Sequence, residues 1–139
     1  MTLKITMQEV ELIAHQMVKK LLSWDEPIPD FNTRQPKILE SCLSVPFQTF
    51  DRKSLYRSLI DKGAILFYLL IKNHPFQNGN KRVAITTLLV FLAKNGRWLR
   101  VDHQELYNFL LWVAASPSDY REEVVAATKK FIGKNLIDY

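Results

Sequence analysis

The stretch Ala64-Ile65-Leu66-Phe67-Tyr68-Leu69-Leu70-Ile71 decides the fold. It continues a helical spacing that starts at about Arg52 with Leu55, Leu59 and Ile60, and it is apolar all round. A helix with no polar face predicts burial on every side. Asn73 should end it as a left-handed cap, with Pro75 blocking continuation two residues later. Across one short loop a second apolar run follows, with Val83, Ala84, Ile85, Leu88, Leu89, Val90, Phe91 and Leu92. It predicts a second buried helix over about Asn80 to Lys94, ended by Asn95-Gly96. The expected fold is all-α, a compact helical bundle with two central buried helices.

Working outward, an amphipathic helix is expected from about Met7 to Trp24. Thr6 and Glu9 have capping-box spacing, and Val10, Ile13, Ala14, Met17, Val18, Leu21 and Leu22 form its core stripe. On the other side, Asp102 caps a helix whose apolar face is Leu106, Phe109, Leu110 and Val113. Ser116-Pro117 is expected to start the last helix, with Val124, Val125, Thr128, Phe131 and Ile132 inward. Between Asp25 and Asp51 the pattern changes, with Pro27, Pro29, Pro36 and Pro46 among polar residues. A short helix fits Thr33 to Leu43. Val45-Pro46-Phe47-Gln48-Thr49-Phe50 is proline-broken and reads as an edge or hairpin piece, an ordered flap at about residues 44–51. No internal repeat or second domain is visible, so residues 1–139 read as one domain.

Composition limits the function classes. With 139 residues and 47% hydrophobic content the chain can bury a core, which excludes a disordered tail. Four glycines and six prolines exclude a collagen-like chain. The single cysteine, Cys42, cannot form an internal disulfide, and no Cys/His cluster has zinc spacing. No signal-peptide core is present at the N-terminus, and no apolar run approaches the roughly 20 residues that span a bilayer. A cytoplasmic protein without a membrane role is expected. The net charge of +5 calls for an anionic partner, whether nucleic acid, nucleotide phosphates or an acidic protein. Its lysines and arginines are scattered, with no nucleic-acid reader motif, which disfavours nucleic acid.

The chemistry concentrates in the loop between the buried helices, His74-Pro75-Phe76-Gln77-Asn78-Gly79-Asn80-Lys81-Arg82. Asn78 to Arg82 put amides, a glycine and two cations at a helix N-terminus, where open N–H donors and the helix dipole favour an anion. Gly79 lets a phosphate approach the backbone, and Arg82 can grip one through two parallel hydrogen bonds. His74 is placed to act as a general base. Phe76 reads as a plug into the core. The loop is not a Walker A motif, because His74 stands where the first glycine belongs, no Ser or Thr follows Lys81, and a helix precedes it. By spacing alone, two readings stay open: an anion-binding active site and a capped inter-helix turn.

This string resembles the motif of the Fic/Doc family, His-Pro-Phe-x-Asp/Glu-Gly-Asn-Gly/Lys-Arg, and within it the death-on-curing (Doc) branch. Arg34-Gln35-Pro36, Leu39-Glu40, Pro46-Phe47-Gln48-Thr49-Phe50, Leu55-Tyr56 and Val90-Phe91-Leu92 to Asn95-Gly96 extend the resemblance. It implies that His74 accepts the proton of a target hydroxyl, that Gly79, Asn80, Lys81 and Arg82 hold phosphates, and that ATP and Mg2+ take part. It also implies that the flap residues Val45, Pro46, Phe47, Gln48 and Thr49 dock a target segment. Relatives that transfer AMP carry glycine after the asparagine and a second arginine, where this chain has Lys81 and Ile85. The Doc form with lysine implies a toxin that moves the γ-phosphate of ATP to a translation factor such as elongation factor Tu, restrained by an antitoxin protein. Asn78 departs from the family's Asp/Glu metal ligand, so any metal contact there is weak or water-mediated. The alternatives are AMP transfer and a degenerate member that only binds nucleotide or a partner. The family's inhibitory helix string has only a chance echo at Ser118 to Glu122.

Overall fold

The computed structural model describes residues 2–13 and 30–139. Helix α1 is described over Met7–Leu12, and the rest of the expected first helix, from Ala14 to Trp24, lies outside the described residues. The capping box is present. Thr6 Oγ1 accepts from the Glu9 amide at 3.2 Å, and Glu9 Oε1 accepts from the Thr6 amide at 2.9 Å.

The core is the pair predicted from the apolar runs. Helix α2 spans Pro36–Ser44, α3 Leu59–Lys72 and α4 Asn80–Lys94. Lys62 to Ile71 are all buried, and so are Arg82 to Leu89. Gly63 near the start of α3 faces Leu88 and Phe91 near the end of α4, so the two helices run antiparallel. A β-carbon at Gly63 would stand 3.2 Å from Leu88 Cδ1, which shows how close the backbones come. Helix α3 begins later than the periodicity from Arg52 suggested. Ser58 and Asp61 form a second capping box that fixes its start, and Leu55 lies outside on the surface.

Helices α5, His103–Ala115, and α6, Arg121–Asn135, complete the bundle. Asp102 caps α5 by accepting from the Gln104 and Glu105 amides. Phe109 of α5 stacks on Phe131 of α6, centroids 4.2 Å apart. Ser116-Pro117 does not open the last helix. The Ser116 amide and hydroxyl both donate to Val113 O, closing α5, and Pro117 leads a 3-10 turn, Ser118–Tyr120, before α6 begins. Both residues are extended, a conformation the proline favours for itself and its predecessor.

Among the described residues four short strands accompany the helices. Strands β1, Thr49–Phe50, and β2, Lys53–Ser54, form a two-residue hairpin, and β3, Arg97–Leu99, pairs antiparallel with β4, Leu136–Asp138. The architecture is thus all-α with two small ribbons. No helix among the described residues is long and apolar enough to cross a membrane.

Candidate active site

The loop from Asn73 to Gly79 joins the two central helices, and Asn73, Pro75, Phe76 and Gln77 are each held by a contact of their own. Asn73 closes α3, its amide donating to Leu69 O at 2.9 Å. It is right-handed, not the left-handed cap expected; the positive φ falls on His74, at 47°. Pro75 disfavours the right-handed helical region for the residue before it, so the helix ends there. A non-glycine residue in this region carries roughly 1–2 kcal/mol of strain. The exposed imidazole of His74 is therefore presented by a backbone the surroundings must hold in place.

The holding is dense. Pro75 O accepts from the Gln35 amide at 2.8 Å. Phe76 is 2% exposed and tilts against Phe31, centroids 6.2 Å apart, so it is the plug the sequence suggested. The Gln77 amide donates to Thr33 Oγ1 at 3.3 Å. Asn80 closes the loop on itself: Oδ1 accepts from the Phe76 amide and Nδ2 donates to Phe76 O, both at 2.9 Å. The Asn80 side chain thus shapes the turn, while its backbone sits at the helix start.

Gly79, at φ 75°, is the N-cap of α4 and leaves the first turn without a side-chain cap. Gly79, Asn80 and Lys81 of that turn line a cleft of about 380 Å3 together with Ile71, His74, Gln77, Asn78 and Ala114. The cleft thus combines a histidine, uncapped helical N–H donors and a lysine, which suits an anionic ligand beside a proton acceptor. Arg82, the third residue of α4, does not line it and is buried at 7% exposure.

The far wall comes from a contact that sequence reading missed. Lys72 Nζ donates to Ala114 O at 3.3 Å and Ser116 O at 2.5 Å, clamping the end of α5 over the cleft. Residues 30–35 form the other unforeseen support. Asp30 caps a 3-10 turn, Phe31–Thr33, and Arg34 lies over the Phe31 ring at 4.2 Å. Arg34-Gln35-Pro36 drew notice as a string, but nothing in its spacing showed that it grips the loop from below. Cys42 is buried and does not line the cleft. Burial pushes its thiol up to about 11, despite the Asn73 amide 4.0 Å away.

The flap lies slightly later than expected. Val45–Phe47 form a 3-10 turn with Pro46 buried and Val45 and Phe47 half-buried against the core. Only Gln48 and Thr49 of the five docking candidates are exposed, and the extended pairing runs from Thr49 to Ser54. The reason is local: Pro46 has no N–H to give a strand, whereas Asp51-Arg52 turn the chain tightly. The hairpin base rests near the start of α3, whereas His74 follows its end, about 18 Å along the helix at 1.5 Å per residue.

A resident magnesium ion does not fit this cleft. Its lining offers side-chain amides at Gln77 and Asn78 but no carboxylate, and no group of three or more potential metal ligands of the His, Cys, Asp or Glu type occurs among the described residues. Magnesium favours carboxylate and phosphate oxygens, and the cleft lining supplies neither.

A family model, described as the Fic/DOC family, matches residues 4–92, which include the whole loop, α3 and all but the last two residues of α4. Comparison with curated proteins and with solved structures gives no match. Members of this family are generally transferases that typically use ATP with a metal. The match covers well over half of the 139 residues and contains the histidine, the glycine turn and the helix terminus of the cleft, and the chain belongs to the Fic/DOC family.

Proposed function

We propose that this protein is a Doc-type kinase that transfers the γ-phosphate of ATP to a hydroxyl side chain of a target protein. Lys81 carries the reading. It lines the cleft in the first turn of α4, where AMP-transferring relatives have glycine. Ile85, at the place of their second arginine, is fully buried and apolar, so no cation reaches the cleft from there. A lysine filling that space favours ATP lying with its γ-phosphate toward His74.

In this reading the imidazole of His74 takes the proton of the target hydroxyl as its oxygen bonds to the γ-phosphorus. The bond from that phosphorus to the β–γ bridging oxygen breaks, and ADP leaves. The amides of the Gly79 turn and Lys81 stabilise the charge on the phosphoryl oxygens, with Arg82 buried in the same first turn of α4. The hairpin at Thr49–Ser54 supplies a free strand edge for the target segment. The target class is a translation factor such as elongation factor Tu, and the restraining partner is a separate antitoxin in the cytoplasm.

The test is transfer from ATP labelled at the γ- or α-phosphate into a bacterial lysate, with Mg2+ and with His74→Ala as control. Label moving from the γ position to one protein, and lost in the variant, is the expected result. Movement of α-label would replace the reading with AMP transfer. Silence with both labels, with ATP still bound, would make this a binding protein, a second reading that Asn78 favours.

A further inference from the structure

We propose that Lys62 is the positioning residue that sets the flap, and through it the target segment, relative to His74. The inference rests on the flap being the docking edge of the proposed kinase. Lys62 is in the second turn of α3 and only 6% exposed, so it is a cation in the core. It stands near the positive end of the helix dipole, where a cation is disfavoured. Among the described residues no carboxylate forms an ion pair with it; its neighbour Asp61 pairs instead with Lys129 at 3.3 Å. A leucine would be cheaper at such a position, so the ammonium must be held for what it grips.

Among the described residues it grips the flap and the connector that follows it. An ammonium has three N–H donors, and the three oxygen acceptors here are Ser54 Oγ at 3.2 Å, Tyr56 O, and Arg57 O at 3.4 Å. Ser54 ends the return strand of the hairpin, and Tyr56 and Arg57 lie in the connector that leads from it to the Ser58 cap of α3. Ser54 also donates to Tyr56 O at 2.9 Å, tightening the same knot. On the entry leg, the Phe47 ring lies 5.6 Å from the ammonium and packs edge-on against Phe91 of α4. Both legs therefore converge on one charge.

The hairpin cannot hold this position by itself. It has two residue pairs, and a two-stranded ribbon of that size is marginal in water. Its turn residues Asp51 and Arg52 both have positive φ, at 51° and 65°. Lys62 thus fixes the docking edge onto α3, whose other end delivers His74, so recognition and chemistry share one rigid element.

The experiment compares wild type, Lys62→Met, Lys62→Arg and Ser54→Ala by amide hydrogen exchange, by binding of a fluorescent ATP analogue, and by γ-label transfer across a lysate dilution series. In Lys62→Met the amides of residues 48–55 should lose protection by roughly ten- to a hundredfold, the size of a lost charged hydrogen bond, while α4 amides keep theirs. Affinity for the analogue should stay within about twofold, and the lysate concentration for half-saturation should rise about tenfold or more at an unchanged limiting rate. Lys62→Arg should recover most of both. Ser54→Ala, which leaves the core intact, should move exchange and half-saturation the same way by less, and it decides the matter if Lys62→Met does not fold. Unchanged flap protection in Ser54→Ala and Lys62→Met overturns the proposal, as does a loss spread equally over α3 and α4, or a fallen limiting rate at unchanged half-saturation. Absence of label transfer by the wild type would sink the kinase reading alone, and the exchange measurement would still judge Lys62.

Discussion

Two asparagines two residues apart in the loop do opposite work. Asn80 is buried and spends its amide in both directions on the backbone of Phe76, a task closed to an aspartate, since a carboxylate accepts but does not donate. Asn78 is exposed and lines the cleft, where the family pattern has a carboxylate. Its neutral oxygen gives a magnesium ion bound to ATP little reason to approach. The Asn78→Asp variant should therefore raise Mg2+-dependent γ-label transfer by several-fold, up to about tenfold, by adding one electrostatic contact to the metal–phosphate unit. Stability should change by less than about 0.5 kcal/mol, because the side chain is on the surface. A rate that is unchanged or lower in a Mg2+ titration would remove Asn78 from the metal's surroundings.

At the scale of elements, the flap turn is the place where local chemistry and fold disagree. Phe50 pairs with Lys53, leaving Asp51-Arg52 as a two-residue loop with both φ values positive. That geometry is the one Asn-Gly fits best, and arginine there is strained. Arg52→Gly should stabilise the hairpin by about 1 kcal/mol, read as slower exchange of the Leu55 amide, which donates to Gln48 O at 3.0 Å. Exchange that is faster instead would mean the arginine side chain holds the turn. The same scale shows what sequence could reveal. Buried helix α3 was legible because eight apolar residues in succession leave no polar face, and α4 because its apolar residues, broken only by Thr86-Thr87, do nearly the same. The pairing of Arg97–Leu99 with Leu136–Asp138 was not, because three-residue strands some forty positions apart leave no periodicity to read. In the site, His74, Gly79 and Lys81 stood out by residue type. The clamp from Lys72 to the end of α5 and the support from Thr33 and Gln35 did not, because backbone carbonyls and amides carry no sequence signature.

Over the whole molecule, the bundle is fastened at its edges by ionised groups, and this fixes how it should respond to acid. The N-terminal segment is tied to the end of α4: Asn95 bonds both the amide and the carbonyl of Leu3, and Lys94 reaches Lys4 O at 2.9 Å and Glu9 Oε1 at 2.7 Å. Partial burial pushes the Glu9 carboxyl up, but the Lys94 ammonium and the Thr6 amide together bring it below its ordinary 4.5. Asp61, joining α3 to α6, is likewise pushed up by burial, yet Ser58 and Lys129 hold it below 3.8. Both carboxyls release protons more readily folded than unfolded, so the unfolded chain binds more protons in this range and stability rises with pH. Their contribution is complete above about pH 4.5 and disappears as pH falls through the lowered folded values. Glu9→Gln isolates the charge, because glutamine still serves a capping box. With side chains about a third exposed, the loss at pH 7 should be about 0.5 kcal/mol in urea unfolding. The same comparison carried to progressively lower pH should show wild type and variant converging at the acid end, as Glu9 takes up its proton in the folded state too. A difference that persists there would mean that Glu9 acts through packing, and that the acid response belongs to other groups.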